Sequence, residues 1–398
     1  MSAAIMRSEL FDKKSLTILG VNSGTSADGV DLATIRFIPE RGKPAATFIS
    51  GRIVPYPAGI KSSLERAITD STIPLDELAR LDMSYGTVLG NIAADFIRAY
   101  GRAVDLIASH GQTIGHFPRP VRTLGLPVGA TLQIGDGNAL AVAAGVPVVS
   151  DFRRADIALG GEGAPLTPFV NHILFGHPKK SRIVINIGGI ANFSYHPAGT
   201  STEGVRGGDC GPGNVLSDTA CRMLFHKSFD RDGRLAYAGK PVSAIIDAVV
   251  AADRNRRVSA GREQFNRVLF ARLVHIIHRN RIDYGDLVTS AAEATVRLIH
   301  RKIRKYLRDP RGEGIYLTGG GRKNLYMVER LQKLCRPVPV WPIEALGFDG
   351  DLLEAVSFAV LGGCFVSGLS STLPHVTGAH GRGIAGKLSF PAIGMEKG

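Results

Sequence analysis

A mostly apolar run from Leu16 to Val21 gives way to the small, polar stretch Ser23-Gly24-Thr25-Ser26-Ala27-Asp28-Gly29, and apolar positions resume from Asp31 to Ile38. The pattern predicts two strands around a glycine-rich turn. It recurs later: Ile183 to Ile187, then Gly188-Gly189, then Ile190 to Tyr195. Spaced self-similarity of this kind points to a duplicated architecture. Between the two hairpins the chain predicts strands near Ala46 to Val54, Ala103 to Ile107, Ala130 to Ile134 and Pro147 to Ser150, with helices at Leu75 to Arg102 and Asn138 to Ala144. After the second hairpin come helices at Val215 to Phe225, Pro241 to Ala251 and Arg262 to Arg279. A strand at Ile315 to Leu317 follows, then helices at Asn324 to Leu334 and Asp351 to Val366. Strands alternating with helices define an α/β class.

The stretch from Asp286 to Leu307 puts Leu287, Ala291, Ala294 and Leu298 on one helical face. Arg297, Arg301, Arg304 and Lys305 fall mostly off it. That is an amphipathic helix with a solvated basic face. A length of 398 residues favours two domains. The boundary is expected near Ser150: residues 1–150 with the tail 374–398 folding back onto them, and residues 151–373.

Composition changes this picture little. Apolar residues are 44% and charged residues 21%, as in soluble globular proteins. No apolar stretch is long enough to span a bilayer, and Met1 to Lys14 lacks the apolar core of a secretory signal. A cytoplasmic protein without a membrane partner is expected. Cys210, Cys221, Cys335 and Cys364 show no C-x-x-C spacing, which argues against a disulfide framework and a zinc site. The formal charge of +13 raises nucleic acid as a partner. The basic runs Arg254 to Arg281 and Arg297 to Arg311 lack interleaved aromatics for base stacking, so nucleic acid is not expected.

Candidate chemistry sits on the turns. Glycines let backbone N–H groups approach an anion closely, so the turns at Gly24, Thr25, Ser26 and Gly29 and at Gly188-Gly189 suit a phosphate. Asp28 and Asp31 offer carboxylates for a Mg²⁺ shell, direct or through water, although an ordinary Asp-Gly hairpin uses the same residues. No Gly-Lys-Ser/Thr follows, so this is not a Walker loop. Thr318-Gly319-Gly320-Gly321 closes a strand and would let a flat ligand lie on the backbone, or simply make a tight turn. Asp209-Cys210-Gly211-Pro212-Gly213-Asn214 is a sharply shaped segment before a helix. Asp209 there is a candidate general base, helix cap or metal ligand, and Asn214 a fitting N-cap.

Ser109-His110-Gly111-Gln112-Thr113 lies just past a strand end, where α/β sheets bind ligands; His110, with no acid adjacent, reads as a structural hydrogen-bonder. Asp151-Phe152-Arg153-Arg154-Ala155-Asp156 suits either polar-sugar recognition or a salt-bridge cluster between domains. Glu354 is a lone acid in an apolar helix, either solvated or aimed at a cleft.

Taken in order, these segments resemble the anhydro-N-acetylmuramic acid kinases, of the sugar kinase, actin and heat-shock chaperone ATPase superfamily. The matching motifs are Gly24-Thr25-Ser26-x-Asp28-Gly29-x-Asp31, Ser109-His110-Gly111-Gln112-Thr113, Leu132-Gln133-Ile134-Gly135 and Asp151-Phe152-Arg153. They continue through Gly160-Gly161-x-Gly163-Ala164-Pro165-Leu166, Asn186-Ile187-Gly188-Gly189-x-x-Asn192 and Asp209-Cys210-Gly211-Pro212-Gly213-Asn214. Gly319-Gly320-Gly321-x-x-Asn324 and Glu354 with Phe358-Ala359 complete the set, which covers most of the chain.

The resemblance implies two similar actin/hexokinase-like, ribonuclease H-like α/β domains with a central nucleotide cleft. It implies ATP and Mg²⁺, with phosphates held by both glycine hairpins together with Asn186 and Asn192, and adenosine lined by Gly319, Gly320, Gly321 and Asn324. It implies that Asp209 is the general base, that Thr113, Arg153, Asp156 and Glu354 hold an anhydro sugar, and that the chain forms a homodimer. The reaction implied opens the 1,6-anhydro bridge of 1,6-anhydro-N-acetylmuramic acid with water and phosphorylates oxygen 6, in peptidoglycan recycling.

The chain departs from the family where Asn22 replaces a common Met, where Glu162 replaces Gln, and where His116-Phe117-Pro118 replaces His-Glu-Pro. The segment between His116 and Gln133 is also longer. Rival readings are a kinase for another anhydro sugar such as levoglucosan, a nucleotide-driven conformational protein, and a sugar-sensing regulator. An intact Asp209 and the lack of a spare binding domain count against the last two.

Overall fold

The computed structural model describes residues 10–23, 29–40, 44–70, 72–254 and 268–392. The chain runs β1 (Leu16–Ser23), β2 (Gly29–Ile38), β3 (Ala45–Pro55), α1 (Ile60–Thr69), α2 (Leu75–Tyr100), β4 (Leu106–Ser109), β5 (Gln112–Thr123) and β6 (Leu126–Ile134). Next are α3 (Gly137–Ala144), β7 (Val148–Ser150), α4 (Arg154–Ala158), α5 (Thr167–Phe175), β8 (Ser181–Ile187), β9 (Ile190–His196) and β10 (Arg206–Pro212). They are followed by α6 (Val215–Phe225), α7 (Arg234–Ala238), α8 (Ser243–Arg254), α9 (Val268–Asn280), α10 (Tyr284–Ile303), β11 (Gly312–Thr318), α11 (Leu325–Leu334) and β12 (Val340–Pro342). The last elements are α12 (Leu353–Val366), α13 (Pro374–Thr377) and β13 (Lys387–Ser389). The first six positions of the helix expected from Arg262, 262–267, lie outside the described residues.

The chain divides into two compact units, Met1–Leu174 with Leu352–Gly398, and Phe175–Asp351. The division differs from the boundaries expected at 150 and 373, because α12 packs on β1, β2 and β4 of the first sheet and carries its flanks with it.

The first unit is built on a sheet of order β13-β7-β4-β1-β2-β3, with β1, β4 and β7 parallel. Side chains alternate across a strand. Leu19, Val21, Val30 and Leu32 therefore pack on Tyr85, Leu89 and Ala93 of α2 and on Leu140 of α3. The opposite face takes α12 at unusually short range. A Cβ on Gly20 would lie 1.8 Å from the Ala355 carbonyl oxygen, and one on Gly363 2.6 Å from the Phe37 ring. The tail returns to this sheet, where β13 pairs antiparallel with β7. The strand expected at Ala130 to Ile134 is one end of a longer hairpin, β5–β6.

The second unit has a sheet of order β10-β9-β8-β11-β12. β10 is a strand where the sequence suggested a turn before a helix. Helix α10 buries Leu287, Ala291, Ala294 and Leu298 as its pattern predicts, and also the carboxylate of Glu293. Arg330 grips Glu293 with two N–H groups at 2.8 and 2.9 Å, and Arg297 adds a third at 2.9 Å. Arg301 pairs with Asp253 at 2.5 Å, so part of the basic face is neutralised within the fold. No helix among the described residues is long and apolar enough to cross a membrane. All four cysteines are buried thiols.

Candidate active site

In the second unit strand register assembles a polar row. Asp209 of β10 is the partner of Asn192 of β9, Asn192 is the partner of Asn186 of β8, and Asn186 is the partner of Thr318 of β11. Residues directly opposite in a ladder share a face. Four polar side chains from four strands thus stand in line, with the half-buried Asp209 at one end. The β10 register shifts between Asp209 and Gly211, where Gly211 takes φ 126°. Such a bulge re-aims the side chain beside it. Asp209 therefore belongs to a strand edge rather than to a helix start, which removes helix capping from its possible roles.

The Gly188-Gly189 turn rests on the segment that follows Asp209. Its carbonyls accept from Gly213 N at 2.9 Å and from Asn214 N at 2.8 Å. A Cβ on Gly213 would stand 2.1 Å from the Gly188 oxygen, so only glycine permits this approach. Thr295 of α10 reaches the Pro212 and Gly213 carbonyls at 3.0 and 2.9 Å and fixes the turn from below. Asn214 precedes α6, but its side chain does not cap that helix; its amide donates to the Ile187 carbonyl at 3.1 Å instead.

The third glycine segment closes against the row. Gly319 has φ 76°, and a Cβ there would meet Asn186 Oδ1 at 2.2 Å. Arg322 holds the turn: it donates to the Gly319 carbonyl at 3.2 Å, to Glu344 at 2.9 Å and to Asp351 at 2.8 Å. Asn324 caps α11 by accepting from Met327 N at 3.1 Å. At Gly188 and Gly320 an added Cβ would meet nothing closer than 3.5 and 3.6 Å. Bare backbone is open there, as a nucleotide lying on glycines needs.

In the first unit a second polar group forms around the start of α12. Asn22 and Asp31 are cross-strand partners on the face that α12 covers. The Asn22 amide donates to Asp31 at 3.2 Å and to Glu354 at 2.9 Å. Glu354 lies in the first turn of α12, where the helix dipole favours an acid. One turn on, Phe358 stacks on His110 with ring centroids 4.4 Å apart. Arg153 donates to His110 Nε2 and to the Gly163 carbonyl, both at 3.0 Å. Burial pushes the His110 pKa well below its usual value, and the adjacent Arg153 charge pushes the same way. Burial also lowers the Arg153 pKa, while the charge of Glu354 pulls it back up. Thr113, half-buried on β5, accepts from Gln133 at 3.2 Å.

Asp156 needs correction as a sugar contact. It is fully buried, with one oxygen taken by Gly163 N at 2.8 Å and the other by Thr377 Oγ1 at 2.7 Å. Both of its oxygens are engaged in shaping the Gly160–Pro165 loop and tying it to α13. Gly24, Thr25, Ser26 and Asp28 lie outside the described residues. Gly29 begins β2, packed so closely that a Cβ would meet the Val54 oxygen at 2.6 Å. Just before the undescribed turn, Ser23 Oγ donates to Gln112 at 2.5 Å and is 2.6 Å from Tyr56 Oη, which in turn is 2.8 Å from Tyr85 Oη. The Tyr56 and Tyr85 hydroxyls and Arg322 carry no signal in the sequence; Asn22 shows there only as a departure from the family, and Thr318 only as the strand end before the glycine run.

Mg²⁺ takes one or two carboxylates and completes its shell with water and phosphate oxygens. Asp31 has the right hard donor chemistry for that role. Among the described residues no group of three or more His, Cys, Asp or Glu side chains could hold a metal ion.

The chain matches, over residues 16–391, a family model described as anhydro-N-acetylmuramic acid kinase. The anhydro-N-acetylmuramic acid kinase of Salinibacter ruber is 34% identical over 386 residues, covering 94% of this chain and 96% of that protein. The protein of the same name from Gloeobacter violaceus is 35% identical over 368 residues, covering 91% and 95%. A ROK family glucokinase from Streptomyces griseus, solved with glucose and AMPPNP, is 11% identical over 87% of this chain and 99% of that one, with a TM-score of 0.36.

Proposed function

The chain belongs to the anhydro-N-acetylmuramic acid kinase family, and from that premise we propose that it opens the bridge of 1,6-anhydro-N-acetylmuramic acid with water and phosphorylates oxygen 6 from ATP. It is a sugar kinase, a phosphotransferase with an alcohol acceptor, in cell-wall recycling. The observation that carries the reading is the row Asp209, Asn192, Asn186 and Thr318 beside the Gly319 turn. One ionisable group stands at the end of a line of neutral hydrogen-bonding side chains, next to open glycine backbone.

Asp209 is the general base. As a carboxylate it takes a proton from a water attacking carbon 1 of the sugar. The bond from carbon 1 to the bridging oxygen breaks, and its electron pair stays on oxygen 6. That oxygen attacks the γ-phosphorus in line, and ADP leaves. Phosphoryl transfer depends mainly on positioning and charge neutralisation. Gly29, Asn186, Gly188, Gly189 and Asn192, with Gly24, Thr25, Ser26 and Asp28, would position the phosphates. Gly319, Gly320 and Gly321 would line the adenosine. Because Asn324 Oδ1 already caps α11, an adenosine contact from that residue falls to its amide nitrogen.

Asp31, with Asp28, would hold Mg²⁺, which when bound neutralises phosphate charge. Thr113, Arg153 and Glu354 would bind sugar oxygens, the arginine donating and the carboxylate accepting. On the same footing we propose a cytoplasmic enzyme acting as a homodimer.

The test is to incubate the purified protein with ATP, Mg²⁺ and either 1,6-anhydro-N-acetylmuramic acid or levoglucosan, and to look for the 6-phosphate by mass spectrometry. Product from the first sugar supports the reading. Product only from levoglucosan moves the substrate, and none from either contradicts the kinase.

A further inference from the structure

We propose that Asn22 is a positioning residue that fixes the Glu354 carboxylate for the sugar, an inference that rests on the sugar-kinase reading. Asn22 sits near the carboxyl end of β1 and is almost wholly buried, yet its single amide nitrogen serves two acids. The bond to Glu354 measures 2.9 Å and the one to Asp31 3.2 Å. An amide nitrogen carries two N–H groups, one for each carboxylate. An apolar side chain at this position would leave both acids without that donor.

Three features make the arrangement more than a local tie. Asp31 is held in place by the ladder, since it is Asn22's direct cross-strand partner. Glu354 is exposed and comes from α12, so its long side chain has rotamer freedom that the amide removes. The backbone contact of α12 at Gly20, two residues before Asn22 on the same face of β1, sets the distance from which Glu354 must reach. The resulting geometry places a donor between the two carboxyl groups. Glu354 is then an oriented acceptor rather than a mobile surface acid.

The experiment is a double-mutant cycle with a binding readout. Asn22→Leu, Glu354→Ala and the double variant are compared with the unmodified protein for affinity toward 1,6-anhydro-N-acetylmuramic acid, by calorimetry without nucleotide. Asn22→Met replaces Asn22→Leu if that variant fails to fold. Loss of a hydrogen bond to a charged group predicts about tenfold weaker sugar binding for Asn22→Leu. Because Asn22 acts through Glu354, the double variant binds no more weakly than Glu354→Ala alone. In turnover the loss falls on the sugar KM.

Equal losses from Asn22→Leu in both backgrounds would mean a general structural role and overturn the proposal. Unchanged sugar affinity in Asn22→Leu would also overturn it. Absence of both binding and product in the unmodified protein would overturn the sugar reading, and Asn22's role with it.

Discussion

Arg153 donates from Nε to Nε2 of His110 at 3.0 Å. A guanidinium has no acceptor, so Nε2 carries no proton and the buried ring, stacked on Phe358, is neutral with its proton on Nδ1. Its folded pKa lies well below the usual 6.5. Below pH 6.5 the unfolded chain therefore binds a proton that the folded state refuses. Stability from this site is full above that pH and falls by about 1.4 kcal/mol for each unit below it, until the folded pKa is reached. His110→Gln keeps an acceptor for Arg153 and removes the titration. Denaturant melts at pH 7.5 and pH 5 should show the unmodified protein losing more stability than the variant. His116, whose pKa burial and Arg153 also lower, accounts for part of the remaining slope.

Asp209→Asn keeps the size and the strand pairing of the residue and removes the base. Turnover should fall by about 10³-fold, within the usual range for general-base catalysis. Nucleotide affinity, read by calorimetry, should stay within about twofold, since the glycine turns are untouched. Near-normal turnover would take Asp209 out of the base role.

Gly20→Ala should destabilise the protein by about 3 kcal/mol or more, because its Cβ would lie 1.8 Å from the Ala355 oxygen and force α12 off the sheet. Gly59→Ala makes the control: φ is 84° but the space is open, so only backbone strain of about 1–2 kcal/mol applies. Thermal melts of the two variants should separate clearly. Equal shifts would contradict the close packing of α12.

Much of this fold could be read in the sequence because its signals are local. The hairpins β1–β2 and β8–β9, strand β3, the long helix α2 and the buried stripe of α10 follow from apolar spacing and glycine turns. What could not be read depends on contacts far apart in the chain. The bond from Asn22 to Glu354 spans 332 positions, and no periodicity encodes it. The placement of α12, and with it the unit boundary, rests on small residues meeting across the same distance.

Arg206–Pro212 carries three glycines and a proline, so its composition reads as a turn, which register with β9 overrides to make β10. The burial of Asp156 against Gly163 and Thr377 is invisible in the sequence, because a satisfied buried carboxylate and a ligand-binding one are the same residue type. The site motifs were legible as types, but the row joining Asp209 to Thr318 appears only once four strands are in register.

Glu293 tests the basic helix. Burial pushes its pKa up, but the hydrogen bonds and charges of Arg330 and Arg297 outweigh that and hold it below the usual 4.5. Its stabilisation is present above pH 4.5 and is lost as the pH falls through the lowered folded value. Glu293→Gln should cost about 2–3 kcal/mol at pH 7, less than a fully buried pair because both arginines reach water. The acid limb of the stability curve should flatten in the variant. An unchanged curve would mean that the buried carboxylate contributes nothing.

The proposed enzyme both adds water at carbon 1 and transfers phosphate to oxygen 6. Turnover of 1,6-anhydro-N-acetylmuramic acid with ATP in ¹⁸O-water, followed by mass spectrometry of the sugar 6-phosphate, tests it directly. One heavy oxygen per product molecule is expected, on carbon 1, and none in the phosphate. An unlabelled 6-phosphate would contradict it, because the bridge would then have opened without the water that Asp209 is held to activate.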